Sequence, residues 1–311
     1  MVSNILVTGA AGYIGGSVLA ALLSADTHLP TKNLFAAVRT EEQAQSLGSL
    51  GINVLRLNLQ DEKEVAEAVV QNEIDIVIHT ASSIDARLAI HLIKALGKRH
   101  DITGKDTYHI HTNTAITELA KEQGVTSFII GVPFVYGTGA GQWKKLSQNI
   151  PATVKASIAL KTTYKFDEDS NFAAVHISDL ADYYVLFVKK ILRGEKLPSG
   201  EEGYYFSVAH EASWWNMTQS LAKALYARGL VTEPTAKIWP SDDMAAEALD
   251  LPRQFVRLMH TARVTIDYKS GYPLDWHPKW DEQRLLANMD EEVTATLQYD
   301  KGRTTLFDAL N

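Results

Sequence analysis

A chain of 311 residues with 46% hydrophobic side chains can bury a full core, and its length suits one sizeable domain with a smaller appended lobe. A formal net charge of −7 excludes nucleic acid as the expected partner, because neutralising a polyanion takes clustered Lys and Arg. With no cysteine, no signal-like start and no apolar run near the roughly 20 residues of a bilayer span, a cytoplasmic protein free of membrane is expected.

The first element is Ile5-Leu6-Val7-Thr8, an apolar strand that runs into Gly9, Gly12 and Gly15 and then an Ala/Leu-rich helix. Gly9 permits a sharp exit from the strand, Gly12 lets a pyrophosphate approach the backbone, and Gly15 lets the helix pack on the sheet. Ala11, Tyr13 and Ile14 lie between them, where free N–H groups and the positive end of the helix dipole face the phosphates. Leu34–Arg39 reads as a second strand and Asn53–Leu59 as a third, ending in Asn58-Leu59. Glu62–Val70 has helical periodicity. Asp75–Ala81 reads as a fourth strand with a turn at Thr80 and Ala81, followed by Ser82 and Ser83. Ala86–Leu96 reads as a helix stopped by Gly97, Lys105–His111 as a fifth strand, and Thr126–Val132 as a sixth. Asn113–Gln123 reads as a helix capped by Asn113 and stopped by Gly124, and Gly203–Val208 supplies a seventh strand.

This alternation predicts an α/β fold: a doubly wound parallel sheet with a smaller, mostly helical C-terminal lobe. Residues 1–137, with 171–210 returning to the sheet, form the dinucleotide-binding domain. Residues 138–170 and 211–311 form the substrate lobe. All six tryptophans (Trp143, Trp214, Trp215, Trp239, Trp276 and Trp280) fall outside the first 137 residues. They suit the core of a small lobe, a lined apolar substrate pocket or an oligomer interface, which leaves room for a homodimer.

The Gly-x-x-Gly-x-x-Gly spacing after Thr8 resembles the short-chain dehydrogenase/reductase superfamily, in its extended or atypical branches (NmrA-like, epimerase/reductase-like). Further segments resemble it in order. Val132-Pro133-Phe134-Val135-Tyr136-Gly137 is similar to the Arg-Pro-x-x-Val-Tyr-Gly signature of extended members, with Val132 in place of Arg. Ala174-Val175-His176-Ile177-Ser178-Asp179-Leu180-Ala181 is similar to their Val-His-Val-x-Asp-hydrophobic-Ala segment. The resemblance spans about residues 4 to 210 and implies a nicotinamide cofactor held by Gly9, Ala11, Gly12, Tyr13, Ile14, Gly15, Asn58, Leu59, Thr80, Ala81, Ser82, Pro133 and Val135. Where NAD-preferring sites carry Asp or Glu after the second strand, this chain has Arg39 and Thr40. A guanidinium pairs with a 2′-phosphate that a carboxylate would repel, so NADP(H) is the expected cofactor.

The superfamily's Tyr-x-x-x-Lys pair has no convincing copy. Tyr108 and Thr112 have the spacing, but Thr replaces Lys and the surroundings read as strand. The fifth strand also passes to the Asn113 helix with almost no connection, although such loops normally take about two to six residues. We therefore expect the chain to be interrupted between Thr112 and Asn113, with a flexible active-site loop omitted there. The residues that could serve in catalysis are Thr112, Tyr136, His111 and Ser82, with His79 as a second imidazole able to act as an acid near neutral pH. His109 and His111 share one side of a strand without a carboxylate nearby, and no metal site is expected. Gly104-Lys105-Asp106-Thr107 lacks the glycine spacing of a P-loop, and His176 reads as a tie between sheet and lobe. The expected function is an NADP(H)-dependent oxidoreductase acting on a carbonyl, imine or secondary alcohol of a small apolar or aromatic substrate. A non-catalytic, NmrA-like NADP(H) sensor is the alternative, and a sugar-nucleotide epimerase or dehydratase is a third.

Overall fold

The computed structural model describes residues 3–24, 27–82, 85–112, 116–263 and 274–300. In chain order, β1 (Asn4–Thr8), α1 (Tyr13–Leu22), β2 (Leu34–Val38), α2 (Glu41–Gly48), β3 (Asn53–Arg56) and α3 (Glu62–Gln71) form the first half of the sheet and its helices. β4 (Ile74–His79), α4 (Ala86–Thr103), β5 (Tyr108–His111), α5 (Thr117–Glu122) and β6 (Thr126–Gly131) follow. With β10 (Tyr204–Phe206) the strands form one parallel sheet, ordered β10-β6-β5-β4-β1-β2-β3. Every residue of β2 and β4 is buried, as a sheet covered by helices on both faces requires. Along β1 the side chains alternate between two cores. Ile5 and Val7 pack with the α1 side, and Leu6 packs with residues of α3, α4 and α5.

Local chemistry sets most helix starts. Thr40 and Gln43 form a capping box on α2, Asp61 caps α3, and Asp85 caps α4. A buried ion pair, Arg99 of α4 to Asp75 of β4 at 2.9 Å, ties helix to sheet.

Several strands are shorter than the sequence reading, β5 starting at Tyr108 instead of Lys105, and three boundary differences have clear physical reasons. β3 ends at Arg56, because pairing with β2 ends there and the chain turns toward α3. α4 passes through Gly97 and ends at Gly104, whose φ of +67° closes the helix. Gly97 serves packing instead of termination: a Cβ there would lie 2.9 Å from Gln123, beyond the end of α5. α5 begins at Thr117, so residues 112–116 connect it to β5, an ordinary length for a strand-to-helix loop. This removes the reason for expecting an interruption, and the 311-residue sequence runs on through the junction. Residues 113–115, with the expected cap Asn113, lie outside the described residues.

The second lobe begins with β7 (Phe134–Tyr136), α6 (Asn149–Leu160) and β8 (Tyr164–Lys165). β9 (Asn171–His176) pairs with β7 and β11 (His210–Ser213) in a separate three-stranded sheet, whereas α7 (Ile177–Leu192) returns to pack on α1. Of the segment 171–210, then, α7 and β10 rejoin the main domain and β9 stays with the lobe. α8 (Trp214–Ala227), β12 (Lys237–Ile238), α9 (Asp242–Leu249), α10 (Arg253–Val256), α11 (Leu258–Thr261), α12 (Glu282–Ala287) and α13 (Met289–Tyr299) complete it. Trp214 and Trp239 are buried in the lobe's two apolar clusters, Trp280 packs against the first, and Trp143 is exposed. Among the described residues, no helix is long and apolar enough to cross a membrane.

Candidate active site

β1 lies between β4 and β2, where the strand order reverses, and ligands of open α/β sheets bind at the carboxyl side of that switch. Gly9 leaves β1 with φ +70°, and Gly12 N–H donates to the Gly9 carbonyl at 2.7 Å to close the turn. A Cβ on Gly9 would lie 2.8 Å from the backbone of Thr80 and Ala81, so only glycine lets the loop meet the end of β4. Gly15 is pressed against the Gly9 carbonyl and Thr80 Oγ1, and that hydroxyl donates to the Thr8 carbonyl at 2.7 Å. Gly12 is the N-cap of α1, and no side chain caps this helix. The N–H groups of its first turn therefore open toward the crevice with no built-in acceptor, as an anion site requires. A Cβ on Gly12 would lie 2.9 Å from the Gly9 carbonyl and meet little else, so it would project into the space a diphosphate needs.

The other expected cofactor contacts line this edge. Arg39 follows β2 and is exposed. Its backbone N–H is held by Gln43 Oε1 at 3.0 Å, and its guanidinium has no ion-pair partner among the described residues. The nearby Arg56 is engaged with Glu41 at 3.0 Å. Thr40 is committed to capping α2. Asn58 Oδ1 accepts from Gln60 N–H at 3.1 Å, and the Leu59 carbonyl accepts from His91, so both lie in the turn that enters α3. Ala81 is exposed, and Ser82 Oγ accepts from Asp85 N–H at 3.0 Å. Ser83 lies outside the described residues. Pro133 and Val135 are half-buried, and Thr112 is half-buried at the end of β5.

Three of the candidate acids, His79, His111 and Tyr136, do not reach the crevice. His79, His109 and His111 share a sheet face with Val77, which packs under α4 and α5, and all three are buried. Their rings form a row with centroids 5.9 and 4.9 Å apart. His79 Nδ1 is 2.8 Å from Thr8 Oγ1, and burial pulls its pKa down to about 4, so it is neutral and a poor proton donor at pH 7. Burial together with the two neighbouring imidazoles holds His109 well below the usual range. No group of three or more His, Asp or Glu among the described residues could hold a metal ion. Tyr136 is fully buried in the lobe core. Its hydroxyl donates to His210 Nε2 at 2.9 Å, because His210 Nδ1 is spent on the Glu211 carbonyl. Burial and then nearby carboxylates push the Tyr136 hydroxyl far above the usual tyrosine range, so it stays protonated and is a poor proton donor at neutral pH. His176 caps α7 and stacks on Trp280 at 3.8 Å, tying sheet to lobe.

Beside the carboxyl end of β6 lies a cleft of about 340 Å³. Val132, Pro133, Phe172, Phe206, Trp214 and Met259 are among the side chains lining it, and among the described residues no charged one does. One residue at this edge was invisible in local sequence: Glu292, which reaches under Gly137 from α13. Its only trace is a carboxylate at helical spacing with Met289, Val293 and Thr296 on the buried face of α13.

Residues 5–93 match the NAD dependent epimerase/dehydratase family. Over nearly its whole length the chain shares its fold with solved structures of low identity. Similar solved structures include UDP-glucose 4-epimerase from Thermotoga maritima with UDP-glucose, at 16% identity and TM-score 0.62, covering 94% of this chain and 99% of that one. The Bordetella bronchiseptica enzyme WbmH, solved with NAD+, is 12% identical with TM-score 0.62, covering 96% and 99%. Triphenylmethane reductase from Citrobacter sp. is 15% identical with TM-score 0.62, covering 94% and 99%. No curated protein matches the chain. The stretch that matches the family contains the loop Gly9–Gly15.

Proposed function

We propose that the protein binds NADP(H) along the carboxyl edge of its parallel sheet and acts as an oxidoreductase on a small apolar or aromatic carbonyl, imine or secondary alcohol. The observation that carries this is the uncapped N-terminus of α1 behind Gly9 and Gly12, at the switch point of the sheet, with an apolar cleft farther along the same carboxyl edge at β6. The α1 N–H groups would hold the pyrophosphate, and Arg39 would pair with the 2′-phosphate. The bound cofactor supplies a hydride donor or acceptor. The chain itself contributes the dry cleft that orients the substrate and, in Thr112 and Ser82, hydroxyls to polarise its oxygen or nitrogen. The redox chemistry named for the Citrobacter neighbour supports this reading. No charged side chain among the described residues lines the cleft, and Val132 stands where extended members carry Arg; both disfavour a sugar diphosphate.

A second reading has its own observation. The chain lacks the Tyr-x-x-x-Lys pair, and Tyr136 is sealed in the lobe core, which fits an NADP(H)-sensing regulator. Incubation with 4-deuterated NADPH and a panel of aromatic ketones, imines and triphenylmethane dyes separates the two. Deuterium in any product supports the enzyme; tight NADPH binding with no transfer across the panel supports the sensor.

A further inference from the structure

The glycine-rich stretch Gly137–Gly141 wraps the first turns of α1. Tyr13, the residue after Gly12, donates its hydroxyl to the Gly137 carbonyl at 2.7 Å. Ala140 N–H donates to Ser17 Oγ at 3.2 Å, and the backbones of Gly141 and Gly16 meet so closely that a Cβ on Gly141 would lie 2.9 Å from Gly16. Gly137 has φ +94°, and a Cβ on it would collide with His176 Nε2. From the other side, Gly137 N–H donates to Glu292 Oε1 at 2.6 Å, and Glu292 is 2% exposed. A carboxylate nearly 300 residues along the chain thus grips the N–H of the same residue whose carbonyl holds Tyr13.

We propose that Glu292 is a positioning residue for the dinucleotide: through the Gly137 peptide it fixes Tyr13, and with it the N–H groups of the first turn of α1 that receive the pyrophosphate. This rests on the dinucleotide reading above. The grip also carries a charge. Burial pushes Glu292 up to about 7, so near neutral pH it is part ionised and part protonated. A pyrophosphate arriving at α1 opposes the ionised form, so binding takes up a proton, and by reciprocity affinity rises as pH falls.

The groups around Glu292 do not share this behaviour. Tyr13 on α1 and Tyr136 on β7 are both raised by burial and stay neutral, and His176 on β9 is pulled down to about 4 and stays neutral. Asp179 on α7 is raised by burial but is held by the N–H groups of Lys279 and Trp280, both at 2.9 Å. From the helices against α13, Lys155 of α6 pairs with Asp300, and Arg228 at the end of α8 pairs with Asp290. Among the described residues no cation pairs with Glu292.

Calorimetric titration with NADP+ at pH 6, 7 and 8 tests the proposal on wild type, Glu292→Gln and Glu292→Ala. If binding strengthens the proton's hold tenfold, wild-type affinity should rise about fivefold from pH 8 to pH 6 beyond any change seen in Glu292→Gln. The glutamine keeps an acceptor oxygen for Gly137 and should hold the low-pH affinity at every pH. The 2′-phosphate titrates equally in both proteins, so their difference isolates Glu292. Glu292→Ala leaves the Gly137 N–H without its acceptor and should weaken binding about five- to a hundredfold throughout. Identical pH profiles in wild type and Glu292→Gln would overturn the proposal, even if the alanine variant does not fold. A wild type that binds neither NADP+ nor NAD+ would instead overturn the dinucleotide reading itself.

Discussion

Acidification from pH 7 to pH 5 should destabilise this protein through its buried histidines, and one buried glutamate should partly offset the loss. His79 and His176 are each pulled from 6.5 to about 4 by burial. For a depressed histidine, the stability of the neutral buried form is fully present above pH 6.5 and is lost as pH falls toward 4. Between pH 7 and 5 the unfolded chain gains a proton that each buried ring refuses, which costs about 2 kcal/mol per histidine. His109 adds a loss of the same sign. Glu292 runs the other way. Its pKa is raised from 4.5 to about 7, so its burial penalty is full above pH 7 and is relieved as pH falls. Over the same interval that relief is about 2 kcal/mol. Urea unfolding followed by tryptophan fluorescence should therefore show wild type losing about 2 kcal/mol or more on going to pH 5. Glu292→Gln, which has no relief to gain, should lose about 2 kcal/mol more than wild type does. Equal losses in the two proteins, or a wild type as stable at pH 5 as at pH 7, would refute this reasoning.

Removing the Arg39 guanidinium by Arg39→Ala should lower NADPH affinity by about 1.5–3 kcal/mol while leaving NADH affinity almost unchanged; an unaltered NADPH/NADH ratio by calorimetry would show that Arg39 is not the phosphate clamp. Gly12→Val should abolish dinucleotide binding while circular dichroism shows the fold largely kept, and retained affinity would refute the phosphate-loop assignment. Gly15→Ala should instead lower thermal stability by about 1–3 kcal/mol, because its methyl group is forced onto the Gly9 carbonyl and Thr80. Arg99→Met should cost about 3–5 kcal/mol in urea unfolding, since it leaves the Asp75 carboxylate buried without its partner; a loss below about 1 kcal/mol would mean that water reaches Asp75.

What could be read from the chain was local. The glycine turn after β1 was legible because strand, glycine spacing and helix follow one another within a dozen residues, and each glycine answers a contact a few residues away or on the next strand. Gly97 misled because its reason is tertiary: it makes room for Gln123, and the helix continues past it. His79 and His111 could be placed at strand ends, but their strand face is sealed by α4 and α5, which no spacing along β4 or β5 reveals. Tyr136 sits in a recognisable signature, yet its hydroxyl is claimed by His210, 74 residues later. Glu292 makes its contact across 155 residues, and only its helical spacing with Met289, Val293 and Thr296 hints at burial.

A crystal structure of the NADP+ complex tests the central claim most directly. The pyrophosphate should lie on the backbone N–H groups at the start of α1, the 2′-phosphate against Arg39, and the nicotinamide beside Thr112 and Ser82. A dinucleotide bound elsewhere, or a pyrophosphate that leaves the first turn of α1 untouched, would contradict it.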